Sequence, residues 1–311
     1  MTTLMYVYPI QPSIHLTITM IVINEYSKPI YIVFDYCKKI NNFKLDSEFF
    51  NPSGHVFILT SWFETPNAIK ILESNPSYEI TILANSMQEK EYFEKRTTRD
   101  VLFCNHNAFL NEHVFDIIGN VPKRHDLIVD SAFHEYKNVE RANRIKETLH
   151  IGYFKRDMMT KVVIPTYGKL ANFTNANGKY KRLPKPQINA HYNESRVAGI
   201  FSLTEGSCFA SSQYLLAGLP VISTRSEGGR DIWYNEFNSI MCENDDESVY
   251  NAHQLAMKKL ESGEFNARQI RDLHLRQMDE HRNRLIEYIK HTVLCNETNG
   301  VDTMKRAFAH F

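Results

Sequence analysis

The feature that most constrains the fold is a repeated alternation of short β-rich runs with helical ones. Ile30–Tyr36, His55–Thr60, Glu79–Leu83 and Asp100–Cys104 are strand-like, while Asn67–Glu73 and Met87–Lys95 have helical spacing. A second series follows in Leu127–Ser131, Leu149–Phe154, Val162–Pro165, Ala198–Leu203, Leu219–Ser223 and Ser239–Cys242, with helices expected near Asn138–Glu147, Cys208–Ala217 and Asp246–Leu260. Such alternation predicts βαβ units and largely parallel sheets. Gly119, Pro122 and Lys123-Arg124-His125 interrupt the pattern within Asn111–His125. Two doubly wound α/β domains are therefore expected over 1–120 and 121–291, with a tail over 292–311. The stretch Asn172–Pro186 has weak periodicity and reads as an exposed loop, and Asn266 to His291 reads as one long amphipathic helix packed on its own domain.

Composition narrows the function classes. Of 311 residues 43% are apolar, enough for two cores, and 36 basic residues balance 36 acidic ones. No global field draws such a chain to nucleic acid, so phosphate recognition must be local. Ile14–Ile23 is too short to span a bilayer and alternates like a strand, and no Lys or Arg precedes Lys28, so a secretory leader is not expected. Five cysteines, Cys37, Cys104, Cys208, Cys242 and Cys295, lie far apart without zinc-type spacing, which suits a reducing cytoplasm. The triplets at Asn172, Asn193 and Asn296 fit the glycosylation pattern but mean little without a leader. His55, His106 and His113 are available on the N-terminal side, but each is one of 13 histidines and none is assigned a role. No nucleophile elbow, GxxxxGK[ST] loop or GxGxxG turn is present, and the last absence argues against a dinucleotide oxidoreductase.

The most informative segment runs from Ala198 to Thr224: a strand, a turn at Glu205-Gly206-Ser207, a helix to Ala217, a turn at Gly218 and a strand at Val221–Ser223. A helix starting near Ser207 points unpaired N–H groups and its positive dipole end beyond the strand, which makes an anion site. Glu205 adds a carboxylate at the same carboxyl edge. Beside a phosphate that is self-defeating, unless the phosphate carries a sugar whose hydroxyl hydrogens the carboxylate accepts. The bland alternative is a solvated capping Glu, which the Glu alone would favour and the whole unit does not.

This unit resembles the donor-binding motif of retaining GT-B glycosyltransferases, particularly family 4: Glu205-Gly206, Gly218-Leu219-Pro220-Val221 and Gly228-Gly229 all fall in place. The run Thr204–Gly229 with Arg230-Asp231-Ile232-Trp233 also resembles a bacterial-type subgroup with a Gly-Gly-Arg-Asp signature. The family's second acid, eight positions after the first, falls on Gln213, and the Arg expected five residues before Lys137 falls on Ala132. The resemblance covers about Asp126–His291 and, through Phe103–Phe115, an interdomain crossing. Before Asn105 it is poor, and the N-terminal domain is shorter than usual.

The resemblance implies a GT-B fold, two Rossmann-like domains facing a cleft with the N-terminal one reduced. It implies sugar transfer with retention from a nucleoside-diphosphate sugar to a hydroxyl of a glycan, lipid-linked or protein acceptor. Glu205 and Lys137 are the expected catalytic pair. Gly206, Ser207, Cys208, Phe209, Gln213 and Gly229 are expected at the donor, with Arg196 or Arg230 supplying the missing charge, although Arg230 could equally form a structural ion pair with a nearby carboxylate. No metal and no cofactor beyond the donor are expected, in keeping with the lack of a DxD sequence. A cytoplasmic setting, including the inner membrane face, fits surface polysaccharide synthesis in relatives. Two rivals share the site, a nucleotide-sugar epimerase and a degenerate binding module.

Overall fold

The computed structural model describes residues 20–294 other than 25, 27, 64, 154–167 and 175–178, together with Phe308. The expected strand Val162–Pro165, most of Ile14–Ile23, and Cys295 and Asn296 lie outside the described residues. The chain forms two compact units, one of residues 1–110 and 278–311 and one of residues 111–277.

In the first unit β1 (Ile21–Ile23) pairs antiparallel with β2 (Ile30–Phe34), and β3 (His55–Leu59), β4 (Glu79–Ala84) and β5 (Val101–Phe103) follow in parallel in chain order. β2 and β3 are buried at every position, so they read as continuous apolar runs. The crossover helices α1 (Asn67–Ser74) and α2 (Met87–Glu94) bring Ala68, Ile71, Leu72 and Phe93 onto the face that carries Val33, Val56, Ile58, Ile80 and Ile82. Ser86 caps α2 by accepting from the Glu89 N–H at 3.0 Å. The opposite face meets the C-terminal part of the molecule: the Tyr288 ring lies 6.0 Å from that of Phe57, and its hydroxyl is 3.2 Å from Thr81 Oγ1.

Among the described residues the second unit has a sheet of six parallel strands: β6 (His125–Ala132), β7 (Thr148–Tyr153), β8 (Lys169–Leu170), β9 (Ser195–Ile200), β10 (Val221–Thr224) and β11 (Ser239–Cys242). Their spatial order is β8-β7-β6-β9-β10-β11, so the winding reverses between β6 and β9. Its helices are α3 (Lys185–Asn193), α4 (Phe209–Leu216), α5 (Asp246–Ser262) and the first half of α6 (Ala267–Tyr288).

Four expectations are corrected. The boundary lies at 110/111 and not 120/121, because residues 115–118 are tied to the second unit. Asn189 and Asn193 accept from the N–H groups of Asp116 (3.2 Å) and Ile118 (2.8 Å), and Arg271 pairs with Asp116 at 3.1 Å. The expected long helix, observed over Ala267–Tyr288, does not belong to one domain. From Met278 on it is part of the first unit, where Arg282 Nε donates to the Ala108 carbonyl at 2.6 Å. The helix expected at Asn138–Glu147 is replaced by the short 3-10 turn Val139–Ala142, since Asn138 takes a left-handed conformation (φ 47°) and its side chain donates to the Phe201 carbonyl at 3.0 Å. Within the expected loop Asn172–Pro186, Phe173–Thr174 pairs with Lys179–Tyr180, and α3 starts at Lys185 with Pro186 in its first turn.

Candidate functional site

Reversal of strand order opens a crevice at the carboxyl ends of the two strands that flank it, because the two chains leave the sheet in opposite directions. Here those strands are β6 and β9, and each delivers one of the two residues that sequence reasoning singled out. After β6 the chain makes the 3-10 turn Glu135–Lys137, and after β9 it reaches the two-residue strand Thr204–Glu205. The Lys137 ammonium pairs directly with Glu205 Oε1, and Ser202 Oγ donates to the same oxygen at 2.6 Å. The pair is enclosed: the side chains of Lys137 and Glu205 are 11% and 4% exposed. Burial alone would lower the Lys137 pKa, but the Glu205 carboxylate outweighs it and holds the ammonium above its ordinary range.

Backbone geometry places Glu205. Thr204–Glu205 pairs in parallel with Glu227–Gly228, the Glu227 N–H donates to the Leu203 carbonyl at 2.9 Å, and the Gly229 N–H donates to the Gly206 carbonyl at 2.8 Å. Gly228 has φ +106°, and a Cβ there would lie 1.7 Å from the Glu205 carbonyl oxygen. Only glycine fits that approach. Beyond Gly206 and Ser207, both buried, Cys208 turns the chain in a left-handed conformation (φ 56°), and α4 begins at Phe209, two residues later than expected. Burial first, and Glu205 second, push the Cys208 thiol up to about 11, so it is not a thiolate nucleophile at neutral pH.

The next turn of α4 carries Gln213, half-buried. The hydroxyl of Tyr192, at the end of α3, lies 3.1 Å from Gln213 Oε1 and 2.6 Å from Asp130 Oδ2 on β6. Burial pushes the Asp130 carboxyl up to about 6, against the opposing pull of the Tyr192 hydrogen bond and the Lys137 charge. Neither Asp130 nor Tyr192 was singled out from sequence. The available signal was Asp130's place near the carboxyl end of the first strand of the donor-type domain.

The two proposed substitute cations are not delivered to the crevice. Arg196 stands at the amino end of β9, the opposite edge of the sheet, and pairs with Asp126 at 3.5 Å. Arg230 is wholly buried as a clamp: Nη1 donates to the Ser202 carbonyl at 2.8 Å, Nη2 to the Thr224 carbonyl, and Nε to Asp231 at 2.9 Å. It ties the chain beyond β9 to β10 and has no surface for a ligand. The exposed Arg225, which directly follows β10, borders a cavity of about 440 Å³ with Leu203, Thr204, Ser226 and Glu227. Its position at a strand's carboxyl end was the overlooked signal. Among the described residues no three His, Cys, Asp or Glu side chains converge as a metal site requires.

The sequence matches no protein-family model and no curated protein. The structure, however, resembles solved glycosyltransferases. HepE of Anabaena in complex with UDP aligns over 76% of this chain and 72% of its own, at 10% identity and a TM-score of 0.57. OtsA without ligand aligns over 84% and 72%, at 10% identity and 0.58. A UDP-forming α,α-trehalose-phosphate synthase from Burkholderia vietnamiensis aligns over 84% and 74%, at 11% identity and 0.53. The chain has the GT-B fold. Within that GT-B fold the second unit has the strand order of a dinucleotide-type domain, and in the first the described strands follow chain order without reversal. No helix of the described residues is long and apolar enough to cross a membrane.

Proposed function

We propose that this chain is a glycosyltransferase that moves a sugar from a nucleoside-diphosphate sugar to an acceptor hydroxyl, with retention at the anomeric carbon. The observation that carries the reading is the meeting of Lys137 and Glu205 at the order reversal of the second sheet, in front of the start of α4. HepE, solved with UDP and with UDP-glucose, supports the choice of ligand class.

An ammonium and a carboxylate that neutralise each other are matched to a donor carrying both phosphate charge and sugar hydroxyls. On binding, Lys137 turns to the diphosphate and Glu205 accepts from the sugar hydroxyls, so neither buried charge is left alone. As the bond from the anomeric carbon to phosphate breaks, negative charge grows on the leaving oxygen. Lys137 and the N–H groups at Ser207, Cys208 and Phe209 stabilise it, and Gly206 and Gly229 allow close approach of the backbone. Arg225 adds positive charge at the neighbouring strand end, where the resemblance had lacked a cation. Gln213 holds the ribose. We place the enzyme in surface polysaccharide or glycoconjugate synthesis, acting on glycan, lipid-linked or protein acceptors from the cytoplasmic side of the membrane.

The test is a panel of nucleotide sugars incubated with mixed acceptors, followed for release of nucleoside diphosphate and for isomerised donor. Release that depends on Glu205 supports transfer. Isomerised donor without release would make the chain an epimerase, and saturable binding without consumption would make it a binding module.

A further inference from the structure

The polar group formed by Asp130, Tyr192 and Gln213 has a hydrogen count that its geometry alone does not display. Tyr192 is wholly buried, packed against Tyr214 (ring centroids 4.8 Å apart) and Phe115 (5.9 Å), so its hydroxyl is fixed in place. Burial first, and the neighbouring Asp130 second, hold the phenol well above its ordinary pKa, so it keeps its proton. That single proton has two oxygen neighbours, Asp130 Oδ2 at 2.6 Å and the Gln213 amide oxygen position at 3.1 Å. The shorter bond, to a carboxylate, takes the proton, because charge-assisted hydrogen bonds are the stronger ones. The Tyr192 oxygen then has only lone pairs to offer Gln213, and two acceptors cannot face each other at that distance. The two ends of a side-chain amide are distinguished by their hydrogens, so the hydrogen count sets its orientation. Gln213 must turn its NH₂ to Tyr192 and its carbonyl outward.

We propose that Asp130, acting through the Tyr192 hydroxyl, is a positioning residue that presents the Gln213 carbonyl as the acceptor for the ribose hydroxyls of the donor. This rests on the function proposed above and on Gln213 standing at the ribose. It also accounts for an amide at this position. A carboxylate at 213 would face the Asp130 carboxylate across one hydroxyl with one proton between them, and like charges in a desolvated site repel. The charge resides one residue back in the relay, and the amide passes it on to the ligand.

The test is calorimetric titration of wild type, Tyr192→Phe and Asp130→Asn with UDP, GDP, ADP and CDP, with their 2′,3′-dideoxy forms and with the nucleosides. Wild type is expected to favour the ribose form of its preferred diphosphate by about three- to tenfold, the worth of one neutral hydrogen bond. Tyr192→Phe keeps the ring packing and should bring that ratio close to one, while the preference for diphosphate over nucleoside stays as in wild type. Asp130→Asn leaves Tyr192 a carbonyl acceptor without the charge and should give an intermediate ratio; it carries the test if Tyr192→Phe does not fold. A merely structural role would weaken ribose and dideoxy forms alike and leave the ratio intact, and that result overturns the proposal. So does a wild-type ratio near one. Failure of wild type to bind any of the four diphosphates would instead strike at the proposed function itself, and the inference would fall with it.

Discussion

The Lys137–Glu205 pair makes a quantitative demand on stability that is separate from any ligand. Glu205 is 3% exposed, and besides Lys137 its carboxylate accepts only from Ser202 among the described residues. Removing one member of a buried pair strands the other charge and costs about 3–5 kcal/mol, whereas replacing both by neutral groups of similar shape is close to neutral. Lys137→Met and Glu205→Gln are therefore each expected to lose about 3–5 kcal/mol, and the double variant to recover most of either loss. In a domain of this size each kcal/mol moves the midpoint by about 2–4 °C, so each single variant should melt roughly 6–20 °C below wild type. Urea denaturation of the four proteins closes the double-mutant cycle, and the expected coupling is several kcal/mol. Losses that simply add would show that the two groups do not interact, and the account of a charge-balanced pair would fail.

Two further outcomes follow from other features. Gly228→Ala puts a Cβ 1.7 Å from the Glu205 carbonyl oxygen at φ +106°, so it should displace the strand that carries Glu205 and abolish diphosphate binding. Gly263→Ala, at φ +78° with nothing within 4 Å, should cost only about 1–2 kcal/mol of backbone strain and leave binding unchanged. Equal binding in both variants, measured by calorimetry, would refute the constraint at Gly228. In the first unit, burial pushes the Glu89 carboxyl up to about 7, against hydrogen bonds from Asn85 and Thr60. A carboxyl whose folded pKa lies above its unfolded value favours folding in its protonated form, so its ionisation costs stability as pH rises through about 7. Glu89→Gln should therefore gain up to about 3 kcal/mol over wild type at pH 8 and little at pH 4.5. A pH-independent difference in urea midpoints would remove Glu89 as the source.

Local pattern made most elements legible in advance. β3, β4 and β11 fall almost where apolar β-rich runs predict them, and Gly206 and Gly218 mark the bend before α4 and the turn after it. What eluded the sequence depends on partners distant in the chain. α6 passes from one unit into the other because Arg271 and Arg282 seek carbonyls more than a hundred residues away, and no periodicity records a destination. The helix expected after Lys137 is lost to one left-handed Asn138, whose side chain is satisfied by Phe201. At the site, the positions of Lys137 and Glu205 were legible because each follows the carboxyl end of a strand, β6 and β9. The structural ion pair weighed for Arg230 is observed with Asp231, but that Arg230 would also clamp the Ser202 and Thr224 carbonyls, and that Tyr192 would join Asp130 to Gln213, required three-dimensional neighbours to see.

The central claim, that the crevice at Lys137 and Glu205 binds a nucleoside diphosphate, is tested most directly by calorimetry on Lys137→Ala. The diphosphate carries the charge that Lys137 meets and the nucleoside does not. A charge-assisted hydrogen bond in such a crevice is worth roughly 1.5–3 kcal/mol, so diphosphate affinity should fall about ten- to a hundredfold while nucleoside affinity stays within about twofold. Equal losses for nucleoside and nucleoside diphosphate would contradict the account and move the phosphate site away from Lys137.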